Sequence, residues 1–305
     1  MTKEWWIMTD QNGRSARPLV VGYDGSESAE QAVSWAAGAA ARARQPLVVL
    51  HAADRIVYAQ DEVAGLWGPE KVRQASLRAA EAGAQLAREQ QPEVDVSARS
   101  SLLSPRQALD EASAQAAGVV VGTRGLGRVR RALVGTTAYG ITGHSRCPVT
   151  VVPHDAPVPG PGSPVVVGVD GSVSGDRALE EGLRQAQLWG AELRLVCSWE
   201  QPHEDPWGLP PVGYRTIEDA GEAALARAQD VVRQAADHVR ERDERLTVST
   251  DTPSGRTEES LLAATEGAGL LVLGSRGHGR LSVMVLGSTT SHMLHLSEVA
   301  VQVVP

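Results

Sequence analysis

One glycine-rich pattern occurs twice in the chain and limits the folds that this sequence can adopt. Residues 122–137 and 274–289 both read G-x2-G-x9-G-[ST], and the second copy follows the first at a fixed distance (274 − 122 and 287 − 135 both equal 152). An apolar run precedes each copy, which is typical of a buried parallel strand. Thr136 and Ser288, at the end of each pattern, are residue types that cap helices. The pattern therefore predicts a strand, a glycine loop and a helix start, each present twice.

The glycine loops point to an anionic ligand. Glycine lets backbone N–H groups approach a ligand closely, and helix N-termini favour negative charge, so phosphate is the expected group. The only lysines are Lys3 and Lys71, and no Gly-Lys pair exists, which excludes a P-loop. The net charge of −8 argues against nucleic acid or an anionic membrane as the main partner.

Repeats over the whole length predict two domains. The 305 residues suffice for two cores, and both halves alternate strand and helix patterns, which favours α/β units with a parallel sheet and helices on both faces. We expect a mobile N-terminal tail at 1–17, one domain at 18–153, a Pro/Gly linker at 154–164 and a second domain at 165–305. Two cysteines without C-x-x-C spacing, no signal peptide and no apolar run of membrane length predict a cytoplasmic protein.

An aspartate follows the first strand of each half. Asp24 and Asp170 stand in the same local sequence, a valine-rich strand followed by Asp-Gly-Ser. In parallel sheets ligands bind beyond the carboxyl ends of strands where the strand order reverses, so we expect Asp24 and Gly122 to line one crevice. Either aspartate could hold Mg2+ beside phosphates or serve its helix as a cap. Ser26 or Ser28 can cap the first helix.

At these residues the chain resembles the universal stress protein family, in the tandem two-domain form common in actinobacteria. The resemblance covers about residues 18–305 and implies a Rossmann-like fold, two five-stranded parallel sheets of order 3-2-1-4-5, with ATP as the cofactor and Mg2+ accompanying it. It also implies the nucleotide-binding residues, which are Asp24, Ala52, Gly122, Gly125, Gly135, Thr136 and Thr137 in the first half and Asp170, Ser198, Gly274, Gly277, Gly287, Ser288 and Thr289 in the second.

Three functions remain open from the sequence. The first is an ATP-binding stress protein that regulates an unidentified protein partner, with at most slow hydrolysis and no dedicated catalytic residue. The second is a nucleotide hydrolase or nucleotidyl transferase of related fold. The third is a nucleotide-free module that works through dimerisation. The last strand of each half is predicted to be an apolar sheet edge that carries no lysine, so we expect the two halves to pair through these strands. Further pairing into a homodimer is plausible, with the loops around Trp67 and Trp207 as candidate contacts.

The loop arginines and two histidines each allow two interpretations. Arg124, Arg128, Arg276 and Arg280 stand at equivalent loop positions and either neutralise phosphate or form a solvated basic loop. His292 and His295 lie three residues apart on one short helix, where a surface or packing role is favoured over a metal site because no third ligand is near in sequence.

Overall fold

A computed structural model describes residues 8–9, 15–54, 68–123, 134–205, 207, 209–277 and 286–305. The chain divides into two compact units with the boundary between Ala156 and Pro157, inside the segment predicted as a linker. We call them the N-terminal and the C-terminal unit and describe each by itself. The exact domain limits given above stay a prediction.

The N-terminal unit alternates strands and helices after a short ladder. Its elements are β1 Met8–Thr9, β2 Ser15–Ala16, β3 Leu19–Gly22, α1 Glu27–Ala43, β4 Leu47–Ala52, α2 Pro69–Gln90, β5 Val96–Ser101, α3 Pro105–Ser113, β6 Gly118–Gly122, α4 Thr136–Thr142 and β7 Val149–Val152. Strands β1 and β2 pair antiparallel within the predicted tail.

The C-terminal unit repeats the same order of elements. They are β8 Val165–Gly168, α5 Val173–Trp189, β9 Leu193–Val196, α6 Ile217–Arg242, β10 Val248–Asp251, α7 Thr257–Ala264, β11 Leu270–Gly274, α8 Ser288–Leu296 and β12 Ala300–Val304.

Each unit contains a five-stranded parallel sheet. In the N-terminal unit the order is β5-β4-β3-β6-β7, and in the C-terminal unit it is β10-β9-β8-β11-β12. Both orders are 3-2-1-4-5 when the strands are counted along the chain, so the predicted fold is confirmed. The central strands are valine-rich because helices cover both of their faces, and Val20, Val48 and Val119, for example, are at most 1% exposed.

The first helix of each unit begins at a serine cap. Ser26 Oγ accepts a hydrogen bond from the amide of Ala29, and Ser172 Oγ accepts one from the amide of Gly175. Ser26 rather than Ser28 is thus the cap in the N-terminal unit. Since Ser26 lies between the end of β3 at Gly22 and the start of α1 at Glu27, this cap fixes where the chain turns from sheet to helix.

The capping expected of Thr136 and Ser288 is wrong. The N-cap residues of α4 and α8 are Gly135 and Gly287, and neither helix has a side-chain cap bond. Thr136 and Ser288 are instead the first helical residues, because the preceding glycine takes the extended conformation that an N-cap requires. Their hydroxyls are therefore not committed to capping.

Helix length and hydropathy also bear on membrane insertion. Among the described residues, no helix combines the length and the apolar composition that a bilayer span requires.

Candidate functional site

A cavity of about 430 Å³ lies in the N-terminal unit at the carboxyl ends of β3, β4 and β6. This is the position where the strand order reverses, because β4 pairs with one side of β3 and β6 with the other. Every first-half residue that the sequence predicts as a nucleotide contact and that the structure describes lines it. They are Asp24, Ala52, Gly122, Gly135, Thr136 and Thr137. The seventh, Gly125, lies outside the described residues.

The cavity has one apolar wall and one polar wall. Leu50, Pro105, Leu109 and Val121 form the apolar wall, which suits a flat, weakly polar ring. The polar wall is formed by Asp24, the glycines and the threonines named above. A ligand with an aromatic part and a polar, hydrogen-bonding part matches this division.

Asp24 positions the start of α1. Its Oδ1 accepts hydrogen bonds from the amide of Ser26 (3.0 Å) and from Ser26 Oγ (2.6 Å), and Ser26 Oγ in turn caps the helix. The C-terminal unit repeats this arrangement, with Asp170 Oδ1 accepting from the amide (2.9 Å) and Oγ (2.6 Å) of Ser172. The aspartate therefore has a structural role in both units through one carboxylate oxygen.

Gly122 and Gly274 are required by helix packing. A Cβ at Gly122 would overlap the carbonyl O of Ser28, in the first turn of α1. A Cβ at Gly274 would lie 2.7 Å from Oγ and 2.8 Å from the carbonyl O of Ser174. These contacts explain the first glycine of each pattern by the close approach of strand and helix, whatever ligand binds nearby.

A main-chain hydrogen bond joins the two ends of each glycine loop. The amide of Gly135 donates to the carbonyl O of Thr123 (2.7 Å), and the amide of Gly287 donates to that of Ser275 (2.9 Å). The last glycine of the pattern is thereby held next to the end of the strand, and α4 and α8 start from a fixed point.

The C-terminal unit brings several of its predicted site residues together. A Cβ at Gly277 would lie 2.8 Å from Asp170 Oδ2, so the glycine loop runs directly past the aspartate. Thr290 Oγ1 donates to the carbonyl O of Gly274 (2.8 Å), which ties α8 to the end of β11. Ser288 and Thr289 form the first turn of α8.

The two units differ at the ends of their second strands. Ser198 Oγ donates a 2.9 Å hydrogen bond to Thr257 Oγ1, at the start of α7. The corresponding residues of the N-terminal unit are Ala52 and Pro105, and both line the cavity. Neither side chain has a hydrogen-bond donor or acceptor, so the two cannot form such a bond. We call the Ser198–Thr257 hydrogen bond the latch.

The residue before this position also differs between the units. His51 Nδ1 lies 2.8 Å from Oγ of the buried Ser76, and burial lowers the pKa of His51, an effect that the charge of Asp24 opposes. In the other unit, burial and then the charge of Asp170 raise the pKa of Cys197, which keeps that thiol protonated. Each unit thus places a neutral group beside its aspartate at neutral pH.

Metal ligands are sparse in the described part of the chain. No three His, Cys, Asp or Glu side chains there lie close enough together to hold a metal ion. His292 Nδ1 lies 3.3 Å from Glu258 Oε1, an exposed contact between helices. A cation near Asp24 or Asp170 would have to take its remaining ligands from a bound phosphate and from water.

Sequence reasoning missed the apolar wall and the loop-closing carbonyls. Leu50 and Val121 end apolar strands, which is a usable signal, because the last inward residue of a parallel strand lines the crevice beyond it. Pro105 and Leu109 come from α3, and nothing in their local sequence marks them as site residues.

Comparison with known proteins places this chain among relatives of one kind. The sequence model of the universal stress protein family matches residues 16–153 and 163–305. Universal stress protein Rv2005c of Mycobacterium tuberculosis (strain ATCC 25618 / H37Rv) is 31% identical over 298 residues, which cover 94% of this chain and 97% of that protein. Universal stress protein Rv2623 of the same strain is 28% identical over 308 residues, covering 95% and 97%.

Solved structures share the fold. A universal stress protein from Archaeoglobus fulgidus DSM 4304 superposes with a TM-score of 0.65 at 22% identity, over 94% of this chain and 97% of that one. At this identity the likeness concerns the fold alone.

Proposed function

This chain belongs to the universal stress protein family, and from that premise we propose that it binds ATP, with one site in each unit. The observation that carries the proposal is the cavity of the N-terminal unit, which gathers Asp24, Ala52, Gly122, Gly135 and the two threonines at the carboxyl end of the sheet. Its volume lies in the range of about 300 to 1,000 Å³ that is usual for small-molecule sites.

The division of the cavity suggests how the nucleotide lies. The adenine ring would pack on the apolar wall near Ala52, where contact with Leu50 and Leu109 would remove apolar surface of the ring and of these side chains from water. The ribose and phosphates would face Gly122, Gly135 and Thr136. Hydroxyl and main-chain donors at these positions would satisfy the phosphate oxygens.

Mg2+ would enter with the nucleotide. Asp24 and Asp170 supply one carboxylate each, and a magnesium ion bound through one carboxylate, phosphate oxygens and several waters is the usual arrangement. In this proposal the aspartate holds the helix cap with Oδ1 and faces the cation with Oδ2. The lack of a three-residue cluster among the described side chains supports a cation that depends on the nucleotide.

We expect binding with at most slow hydrolysis. Of the described residues that line the cavity, only Tyr23 and Asp24 are ionisable. Burial and the charges of Glu30 and Asp24 raise the pKa of Tyr23, so this phenol is a poor general base, and Asp24 Oδ1 is engaged with Ser26. Nucleotide binding would instead change the affinity of the chain for an unidentified regulatory protein during the stress response.

Calorimetric titration tests the proposal. The chain is unfolded to release any bound small molecule, which mass spectrometry identifies, and the refolded chain is titrated with ATP and Mg2+. We expect two sites of unequal affinity. Thr136→Val with Thr137→Val should weaken the tighter site, whereas Ser288→Val with Thr289→Val, the matched change in the C-terminal unit, should affect only the weaker one.

Three outcomes would overturn all or part of this proposal. Absence of both binding heat and released nucleotide would leave the nucleotide-free dimerisation module as the function. Rapid release of phosphate from ATP would favour a hydrolase. Equal weakening of both sites by the Thr136 and Thr137 changes would contradict the assignment of one site to each unit.

A further inference from the structure

A second cavity, of about 460 Å³, lies in the C-terminal unit between α5 and α6. None of its described lining residues belongs to a glycine loop. Val169, Leu179, Val231 and Ala235 form an apolar floor, and Asp176 and other charged or polar side chains lie around it. This size, with an apolar lining and a few polar groups, is typical of small-molecule sites.

The N-terminal unit fills the corresponding space with an aromatic ring. Tyr23 corresponds to Val169, since the first strands of the two units differ by 146 positions, and Gly83 corresponds to Ala235 at the 152-residue spacing. Tyr23 is 9% exposed, and a Cβ at Gly83 would lie 2.9 Å from its ring. The phenol side chain thus lies between β3 and α2, where glycine makes room for it.

A carboxylate acts electrostatically on that phenol. Burial raises the pKa of Tyr23, and the charge of Glu30 adds to this effect. The equivalent residue of the C-terminal unit is Asp176, which lines the second cavity. Val169, Ala235 and Asp176 therefore correspond to Tyr23, Gly83 and Glu30 of the N-terminal unit, and the C-terminal unit has no aromatic ring at this place.

We propose that the cavity between α5 and α6 binds a small neutral phenol, whose ring occupies the position that the Tyr23 ring takes in the N-terminal unit and whose hydroxyl donates to Asp176. The proposal rests on the lining of this cavity and not on ATP binding, although Val169 directly precedes the predicted site residue Asp170.

The charges around the cavity favour a neutral hydroxyl donor. Glu180 is bound by His238 Nε2 (2.6 Å) and by Arg242 Nη1 (3.2 Å), so its charge is balanced. Asp176, which takes the place of Glu30, shares the lining with the cation of Arg177, so the charges of the lining are mixed and a neutral hydroxyl donor suits them better than a charged ligand.

The cavity lining includes one strongly exposed apolar side chain. Val173 is 72% exposed and lines the cavity, whereas the corresponding residue of the N-terminal unit is the charged Glu27. An exposed valine in the lining increases the apolar contact that a ring can make as it binds.

The probe is p-cresol, which is the side chain of tyrosine as a free molecule. It is titrated into the full-length chain and followed by calorimetry and by saturation-transfer NMR. We expect saturable binding with a Kd of about 1 mM, as suits a ligand of so few atoms. Toluene, which lacks the hydroxyl, should bind about tenfold more weakly, and Asp176→Ala should lower the affinity for p-cresol to a similar extent.

The matched control recreates the N-terminal arrangement. Val169→Tyr with Ala235→Gly supplies a ring and the space for it, and should abolish p-cresol binding while ATP titration of the N-terminal unit is unchanged. Val231→Phe fills the same cavity from α6 and serves where the double variant does not fold. Circular dichroism and the urea unfolding midpoint establish folding for each variant.

Two results would overturn the proposal. One is a lack of saturable p-cresol binding to the wild-type chain. If the variants that fill the cavity then alter only self-association, the cavity is a contact surface for another protein chain and not a phenol site. The other is unchanged p-cresol affinity in folded variants that fill the cavity.

Discussion

Ser198 Oγ donates a 2.9 Å hydrogen bond to Thr257 Oγ1 at the place where the N-terminal unit has Ala52 and Pro105. This latch joins Ser198, just after the second strand of the C-terminal unit, to the start of α7, at the two positions that line the cavity in the N-terminal unit. A nucleotide bound in the C-terminal unit as proposed would have to break or bypass this hydrogen bond. Ala52 and Pro105 form no such hydrogen bond, so the proposed sites of the two units are expected to differ in their affinity for ATP.

Removing the latch should strengthen binding in the C-terminal unit. We expect Ser198→Ala with Thr257→Pro to tighten ATP binding there by about fivefold, since a net hydrogen bond is worth about 1 kcal/mol. Proline is compatible with the first position of α7, because Arg256 before it has the extended conformation that proline favours. The measurement is calorimetric titration in a background with Thr136→Val and Thr137→Val.

The reciprocal change is the control for the latch. Ala52→Ser with Pro105→Thr should install the hydrogen bond in the N-terminal unit and weaken ATP binding there by a similar factor. If neither pair of substitutions changes affinity, the latch does not control entry.

The first glycine of each loop should matter for stability even without ligand. Gly122→Ala places a methyl group on the carbonyl O of Ser28 and should lower the free energy of unfolding by about 1–3 kcal/mol, as overpacked sites do. Urea unfolding of the ligand-free chain measures this. Gly143→Ala is the control, because a Cβ there meets nothing within 4 Å, and it should cost little. A Gly122→Ala chain as stable as wild type would show that β6 and α1 can move apart enough to accommodate the methyl group without loss of stability.

The structural and ligand-binding roles of Asp24 can be separated by two substitutions. Asp24→Asn keeps an acceptor for Ser26 and should leave stability nearly unchanged, while Asp24→Ala removes it and should cost about 1 kcal/mol. If the carboxylate faces Mg2+, both variants should lose the dependence of ATP affinity on Mg2+. An Asp24→Asn chain that binds ATP more tightly and still responds to Mg2+ would mean that Asp24 only repels the phosphates.

His51 should make the N-terminal unit less stable in mild acid. Burial lowers the pKa of His51 in the folded chain below its ordinary value of 6.5, so the unfolded chain takes up the proton first as the pH falls. The contribution of His51 to stability is therefore complete above the unfolded pKa and declines as the pH falls below it. His51→Gln, which retains a hydrogen-bonding side chain next to Ser76, should flatten this decline.

The measurement is urea unfolding at several values between about pH 7 and pH 5, the interval in which an ordinary histidine titrates. Cys197→Ala, at the corresponding position of the other unit, should leave the slope unchanged, because burial keeps that thiol protonated throughout the interval. A His51→Gln chain with the same pH slope as wild type would show that the buried histidine does not govern it.

Much of the candidate site could be predicted because it depends on local sequence. Asp24 and Gly122 end their strands, and parallel strands bring their carboxyl ends to one edge of a sheet, so both residues line the cavity as expected. The cap at Thr136 could not be predicted in this way. The position of the helix start depends on the hydrogen bond between Gly135 and Thr123, whose residues stand on either side of the glycine loop.

The number of units and their alternating elements follow from the sequence, because apolar periodicity and repeat spacing are local properties of the chain, whereas the strand order was expected from the resemblance to a known family. What each site can accept depends on tertiary packing. Ser198 and Thr257 are 59 residues apart, and Tyr23 and Gly83 are 60 residues apart (83 − 23), so both contacts exist only once strands and helices have packed. Packing is decided by side-chain volume and hydrogen bonding between distant segments, and two repeats with the same order of elements can therefore enclose different cavities.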